Sequence, residues 1–90
     1  MQDNKIQQLK LYIDPGHAWL KVSLWDLKQL EIEDKITSWS YRDPNGKDIY
    51  LEEDVDMVTY LTTLKKYGLD YVIWEDVTDN QSIIRTYRNY

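Results

Sequence analysis

Two short turns built on Asp-Pro set the arrangement of this chain, because each one joins two strand-like segments. The first turn, residues 14–17 (D-P-G-H), separates residues 9–13 from residues 18–22, and apolar and polar side chains alternate in both segments. Such alternation is typical of half-buried strands. Pro-Gly at the centre of a four-residue turn predicts a type II turn, in which Gly16 takes a positive φ. The pattern therefore predicts a β-hairpin.

The second turn, residues 43–46 (D-P-N-G), predicts another hairpin, with residues 36–41 and 48–52 as its arms. Gly46 is available here for the left-handed position. A helix is expected after each hairpin. Ser23 as N-cap, with Asp26 three residues later, predicts a short first helix that ends near residues 31–34.

The second helix is expected to begin with Asp54 as its N-cap and to end at Gly68, which suits the left-handed position after a helix. Its buried face is predicted to consist of four apolar residues at helical spacing: Met57, Val58, Leu61 and Leu64. Residues 71–75 (Y-V-I-W-E) follow as a strand, and residues 82–87 form either a sixth strand or an ordered extension.

The order of elements, ββα-ββα-β, predicts a single α+β domain over residues 1–90. Its sheet is expected to be antiparallel, with five or six strands and both helices packed on one face. Ninety residues bury only a small core, and the chain contains no cysteine. Neither a disulfide framework nor a thiolate metal site is therefore expected.

The composition argues against several classes of function. The net charge is −5, and residues 48–64 hold five acids and no base, which disfavours direct binding of nucleic acid or of an anionic membrane. No segment reaches the roughly 18 apolar residues of a membrane span, and the first eight residues do not resemble a signal peptide. We therefore expect a cytoplasmic protein without a cofactor.

Four carboxylates crowd the start of the second helix: Glu52, Glu53, Asp54 and Asp56. The helix dipole favours each negative charge near a helix N-terminus by roughly 0.3–1 kcal/mol, and helix initiation accounts in this way for Asp54 and Asp56. Glu52 and Glu53 remain as candidates for docking a basic partner. No metal site is expected, because the calcium-loop spacing and a histidine ligand pair are both missing.

The aromatic residues are eight tyrosines and four tryptophans, with no phenylalanine. Rings that carry a polar group suit protein interfaces, although the same rings can also complete a small core. A partner-binding surface that combines acidic and aromatic side chains is therefore predicted to contain Glu52, Glu53, Asp56, Tyr50, Trp19 and Trp39.

A second candidate site surrounds His17, the only histidine, which follows Asp14 by three residues. The ordinary arrangement would be a hydrogen bond from His17 to Asp14 within the turn. No convincing nucleophile accompanies the pair, so an enzyme is not expected. One alternative function is an oligomer that sequesters a small molecule or nucleotide, with a pocket of Asp14, His17, Arg85 and Tyr87. Another is a metal-dependent enzyme that uses His17.

The tail, residues 84–90, combines two arginines with two tyrosines. It is expected either to pair with the acidic stretch of its own chain or to contact a partner. That partner could be a second copy of the chain, so a homodimer is one of the arrangements considered.

Five segments resemble, in this order, a family of small proteins encoded by bacteriophages and other mobile elements. They are residues 14–22 (DPGHAWLKV), 34–41 (DKITSWSY), 50–56 (YLEEDVD), 64–71 (LKKYGLDY) and 82–87 (SIIRTY). The resemblance covers nearly the whole chain. It implies a setting in which small proteins bind and block host proteins, including components of restriction or CRISPR defence. The leading hypothesis is therefore an inhibitor that binds a basic surface of a host protein.

Overall fold

The computed structural model of the protein describes residues 6–90. Residues 1–5, on which part of the signal-peptide argument rests, lie outside that range. The elements are β1 (Gln7–Ile13), β2 (Ala18–Ser23), α1 (Leu24–Gln29), β3 (Tyr41–Arg42), β4 (Asp48–Glu52), α2 (Asp56–Lys66), β5 (Tyr71–Val77) and β6 (Arg88–Asn89), with 3-10 turns at Glu33–Lys35 and Ile83–Thr86.

The strands form one six-stranded sheet in the order β5-β1-β2-β4-β3-β6. The α+β class is confirmed, but the predicted ββα order is not matched in full, because 3-10 turns interrupt it and the short β6 follows β5. The prediction of an antiparallel sheet is wrong at one position, since β5 runs parallel to β1. After β4 the chain crosses the sheet through α2 and enters the far edge, and a crossover through a helix is how parallel strands are joined.

Both helices contribute to the core on one face of the sheet. Alternation along β2 places Leu20 and Val22 in this core, together with Leu27 of α1 and Tyr60 and Leu64 of α2. The buried face of α2 is rotated from the predicted one, because Tyr60 is buried whereas Val58 is 52% exposed. Within residues 6–90, no helix has the length and apolar character needed to cross a membrane.

The opposite face of the sheet is covered by the tail of the chain. Trp19 of β2 and Tyr50 of β4 are buried there under Ile84, which belongs to the second 3-10 turn. Three partly buried tyrosines surround this second core: Tyr12, Tyr41 and Tyr87. The tail therefore folds back on its own domain. The many polar aromatics of the sequence are explained in part by this thin core, which lies close to solvent.

The glycines of the turns differ in what they provide. Gly46 and Gly68 have φ values of 72° and 70°, which confirms both predicted left-handed positions. Gly16 does not have a positive φ, so the predicted type II geometry of the first turn is wrong. At this position glycine provides space, because a Cβ atom would lie 2.9 Å from Nη2 of Arg85.

The first helix begins as predicted and ends with a residue in an unfavourable conformation. Ser23 Oγ accepts a hydrogen bond from Asp26 N–H at 3.0 Å, which confirms the N-cap. At the other end Glu31 has a φ of 59°, while Ile32 N–H donates to the carbonyl of Leu27. This is the Schellman arrangement that ordinarily places glycine in the left-handed position.

Replacement of Glu31 by glycine is therefore expected to stabilise the protein. A residue with a Cβ atom pays about 1 kcal/mol in the left-handed region, and part of this gain is lost because glycine is more flexible in the unfolded chain. We expect Glu31→Gly to raise the free energy of unfolding by about 0.5 kcal/mol in urea denaturation. Glu31→Ala is the control for loss of the carboxylate, and equal stability of the two variants would contradict the assignment.

Candidate functional site

The buried carboxylate of Asp56, in the first turn of α2, fixes the loop of residues 37–40. Asp56 accepts hydrogen bonds from the Thr37 N–H at 3.0 and 3.1 Å, from Thr37 Oγ1 at 2.7 Å and from Ser40 Oγ at 2.5 Å. The predicted strand arm over residues 36–41 is therefore wrong except at Tyr41, because these polar groups turn towards Asp56. Asp56 is fully buried, so the partner contact predicted for it from the sequence does not fit this position.

Glu52, at the end of β4, caps the second helix. Its carboxylate accepts hydrogen bonds from three backbone N–H groups, those of Asp54 at 2.9 Å, Val55 at 2.5 Å and Asp56 at 3.2 Å. The predicted N-cap at Asp54 is wrong, since Val55 occupies that position without a side-chain hydrogen bond. The expected roles are thus exchanged, because the Glu52 carboxylate satisfies the N–H of Asp56, the first residue of α2, and two N–H groups of the turn before it. The Asp54 side chain faces solvent.

Trp39 is held outward by a loop that is fixed on both sides. Ser38 O accepts a hydrogen bond from Asn89 Nδ2 at 2.6 Å, and Ser40 O accepts one from Tyr90 N–H at 2.8 Å. The N–H of Trp39 itself donates to Thr37 Oγ1 at 3.2 Å. Its side chain is nevertheless 73% exposed. The indole is therefore an apolar group at the surface whose backbone has little freedom.

Beside this ring lies a small open cavity of about 160 Å³, lined by His17, Trp19, Trp39, Tyr41, Glu52 and Arg85. The structure thus brings together residues from both sites predicted from the sequence. Trp19 forms the floor, because it is only 2% exposed and its ring lies 5.8 Å from that of His17 and 6.2 Å from that of Tyr41. Tyr41, which the sequence pattern predicted only as a strand residue, is thus a further residue of the site.

Tyr50 and Tyr87 belong to the second core and not to the open surface. Their ring centroids are 5.5 Å apart, and Tyr12 meets Tyr50 edge-on at 5.9 Å. Burial raises the pKa of Tyr50 to about 12, with smaller contributions from the neighbouring Tyr87 and Tyr12. The predicted partner contact by Tyr50 does not fit this position, and Tyr87 does not line the cavity.

Asp14 joins the first hairpin to the tail of the chain. Its buried carboxylate accepts hydrogen bonds from Arg85 Nε at 2.6 Å, from Arg85 Nη2 at 2.8 Å and from the Ser82 N–H at 3.0 Å. Within the turn it accepts the backbone N–H groups of Gly16 and His17, each at 3.0 Å. The expected His17–Asp14 bond thus comes from the backbone of His17. The tail pairs with Asp14 and not with the acidic stretch.

The pKa of Asp14 is held far below its usual range by these contacts. The hydrogen bonds from Arg85 are the main cause, and they outweigh burial, which acts in the opposite direction; the N–H groups of Ser82, Gly16 and His17 lower the pKa further. The guanidinium of Arg85 also lies over the ring of Trp19, 5.4 Å from its centroid. Two nitrogens of the Arg85 guanidinium therefore bind Asp14, and one face of the group packs on Trp19, so both contacts belong to the folded structure.

The placement of side chains decides whether the molecule holds a metal site or further cavities. Within residues 6–90, no group of three or more His, Cys, Asp or Glu side chains is placed to hold a metal ion. A larger and mostly apolar cavity of about 530 Å³ lies elsewhere, between Trp25 and Lys28 of α1 and the second hairpin at Gly46. No sequence pattern predicted this cavity, since its two walls, on α1 and on the second hairpin, are distant in sequence.

Comparisons of the chain with protein-family models, with curated proteins and with solved structures find no match.

The exchange of roles at the helix start can be tested with two alanine variants. Glu52→Ala removes the acceptor of three backbone N–H groups, and a lost cap costs about 1 kcal/mol. Asp54→Ala removes an exposed carboxylate and is expected to change stability by less than about 0.5 kcal/mol. Urea denaturation monitored by circular dichroism compares them. A larger loss for Asp54→Ala than for Glu52→Ala would contradict the cap.

The Asp14–Arg85 pair is expected to govern acid stability. The unfolded chain has an aspartate pKa of about 3.9, and the folded pKa is lower, so the stabilisation is complete above about pH 4 and is lost as the pH falls towards the folded pKa. Asp14→Asn should lower the free energy of unfolding at neutral pH by about 2 kcal/mol, because the buried carboxylate loses its charge-assisted hydrogen bonds with Arg85. The variant should also lose less stability than the native protein between neutral and acid pH.

Asp79→Asn is the control for this experiment, because Asp79 is an exposed aspartate. It should reproduce the native pH profile in urea denaturation at each pH. If Asp14→Asn and the native protein lost stability in parallel with falling pH, the Asp14–Arg85 pair would not be the source of the acid sensitivity.

Proposed function

We propose that the protein is a binding module that occupies a basic surface of another protein and blocks it. The contact would be made by the Trp39 surface, defined here as Trp39 with Glu53 and Asp54, which directly follow the cavity residue Glu52 in the chain. In the phage setting that the resemblance implies, the partner would be a host protein such as a component of restriction or CRISPR defence. The protein acts by occupancy in this proposal, without catalysis.

The observation that carries this proposal is the exposure of Trp39 on a fixed loop. An indole that is 73% exposed gives up the free energy of burial that the same ring would gain inside the protein. Hydrogen bonds from Asn89 and Tyr90 to the neighbouring carbonyls hold its backbone in place before any partner arrives. Such preorganisation reduces the entropy lost on binding, and tryptophan is enriched among the residues that dominate interface energies.

The acidic residues that follow Glu52, a residue of the Trp39 cavity, support a basic partner. Three ion pairs occur within residues 6–90, and neither Glu53 nor Asp54 takes part in them. Glu52 contributes less, because its carboxylate already accepts three backbone N–H groups. Complementary charge mainly speeds association and selects the partner, so the affinity is assigned to the ring and the selectivity to the two carboxylates.

The alternative of small-molecule sequestration in the predicted pocket around His17 is less well supported by the geometry. The cavity of about 160 Å³ is smaller than ligand pockets usually are, roughly 300–1,000 Å³. Arg85, the candidate phosphate ligand, donates Nε and Nη2 to Asp14. The metal-dependent alternative that uses His17 gains no support, since no suitable set of ligands surrounds it within residues 6–90.

The proposal is tested by affinity capture from host cells with the native protein and matched variants. Trp39→Ala should weaken binding of the captured partner by at least about thirtyfold, the effect of losing an interface hot spot. Trp25→Ala is the control, because Trp25 is 67% exposed on α1 and lines the other cavity, beside Gly46, and not the one beside Trp39. Affinity is then measured by titration calorimetry with the purified partner.

Charge is tested separately by reversal at Glu53 and Asp54, with Asp79→Lys as the control outside the surface. The double reversal should slow association and remove most of its dependence on salt. Glu52 is left intact because it caps α2. If a partner bound Trp39→Ala as tightly as the native protein, the Trp39 surface would not be the binding site.

A further inference from the structure

The outer edge of β5 is the longest free strand edge in the part of the chain that the structure describes. β5 has seven residues, lies at the end of the sheet and pairs with β1 on one side only. Four of its side chains are exposed and apolar or aromatic: Tyr71, Val72, Trp74 and Val77. It contains neither proline nor lysine, the residues with which proteins commonly protect such an edge.

The hydrogen bonds to β1 show which backbone groups of β5 face outward. Gln7 N–H donates to Asp70 O at 2.9 Å, and Thr78 N–H donates to Ile13 O at 2.9 Å. Alternate residues of a strand direct their backbone groups to the same side. The even-numbered residues of β5 therefore bond to β1, and the odd-numbered residues, from Tyr71 to Val77, present their N–H and C=O groups to the free side.

We propose that this edge pairs with the same edge of a second copy of the chain, antiparallel about a twofold axis at Trp74. In this register Tyr71 lies opposite Val77 of the other copy and Ile73 lies opposite Glu75. All four outward-facing residues of each strand then form hydrogen-bonded pairs. The two six-stranded sheets become one continuous sheet, in which the β5 edge of each copy is paired.

The charges of β5 select this register. Asp76 lies opposite Val72 of the other copy, and no acidic residue lies directly opposite another. A shift of the axis to Glu75 would place the two Glu75 side chains face to face, and a shift to Ile73 would oppose Asp76 with Asp70. Like charges in direct opposition are destabilising. With the axis at Trp74, the two Glu75 side chains are only diagonal neighbours, about 7–8 Å apart.

The side chains at the axis favour a second copy over an unrelated strand. The Trp74 side chain, 60% exposed, would meet its symmetry mate in a non-hydrogen-bonded pair, where side chains approach most closely. Its indole is held on this face of the sheet by Nε1, which donates to Gln8 Oε1 at 2.7 Å. Lys10 pairs with Asp76 at 3.6 Å, which reduces the acidic charge brought to the interface.

The register is tested by two opposite charges at Val72, which faces Asp76 of the other copy in the proposed dimer. Val72→Asp should place like charges opposite each other twice, whereas Val72→Lys should form two new ion pairs. We expect the dissociation constants of the two dimers to differ by at least about tenfold, with the lysine variant tighter. Sedimentation equilibrium over a range of protein concentrations measures both constants.

Glu75→Pro is the second variant, because it removes an outward N–H group without touching the bonds to β1. Proline is accepted at such an edge position, so the monomer should keep the circular dichroism spectrum of the native protein but not dimerise. A native chain that remains monomeric at every concentration would overturn the proposal. A dimer whose affinity is the same in both Val72 variants would also overturn it.

Discussion

The carboxylate of Asp14 is the interaction on which the rest of this small domain depends. The helices cover only one face of the sheet, and the tail of the chain covers the other. That tail is secured where Arg85 and the Ser82 N–H meet the buried Asp14. Without the pair, Trp19 and Tyr50 would lose the cover of Ile84. The Asp14–Arg85 pair thus holds the tail over this thin second core.

The tail that the Asp14–Arg85 pair secures also supports the candidate site. Beyond Arg85 the same tail forms β6 beside β3, and its last two residues hold the carbonyls on either side of Trp39. The display of Trp39 therefore has two supports, the tail on one side and the buried Asp56 on the other. Both supports are remote from Trp39 in sequence. Loss of either one is expected to leave the indole exposed but no longer fixed in direction.

Local chemistry was predicted well, because it depends on neighbouring residues. Ser23 caps α1, and Gly46 and Gly68 occupy left-handed positions, as each short segment indicated. The acidic block shows the limit of this reasoning. The pattern suggested Asp54 as the helix cap, yet Glu52, at the end of β4, accepts the N–H groups of the preceding turn and of Asp56. The Asp56 side chain is buried against the loop of residues 37–40. Four carboxylates within five residues look alike in sequence and differ in what surrounds them.

The sequence by itself determined the first hairpin, the turn of the second, the helix that follows each of them, and the acidic and aromatic composition of the chain. Spacing and turn residues decide these features over a few positions. Only the tertiary structure decided that β5 lies parallel to β1, that the tail covers the second face, and that Trp39 and Glu52 border one cavity with His17 and Arg85. Those features depend on contacts between residues that are distant in the chain, and a hydrogen bond such as Arg85–Asp14 leaves no periodic signal in either segment.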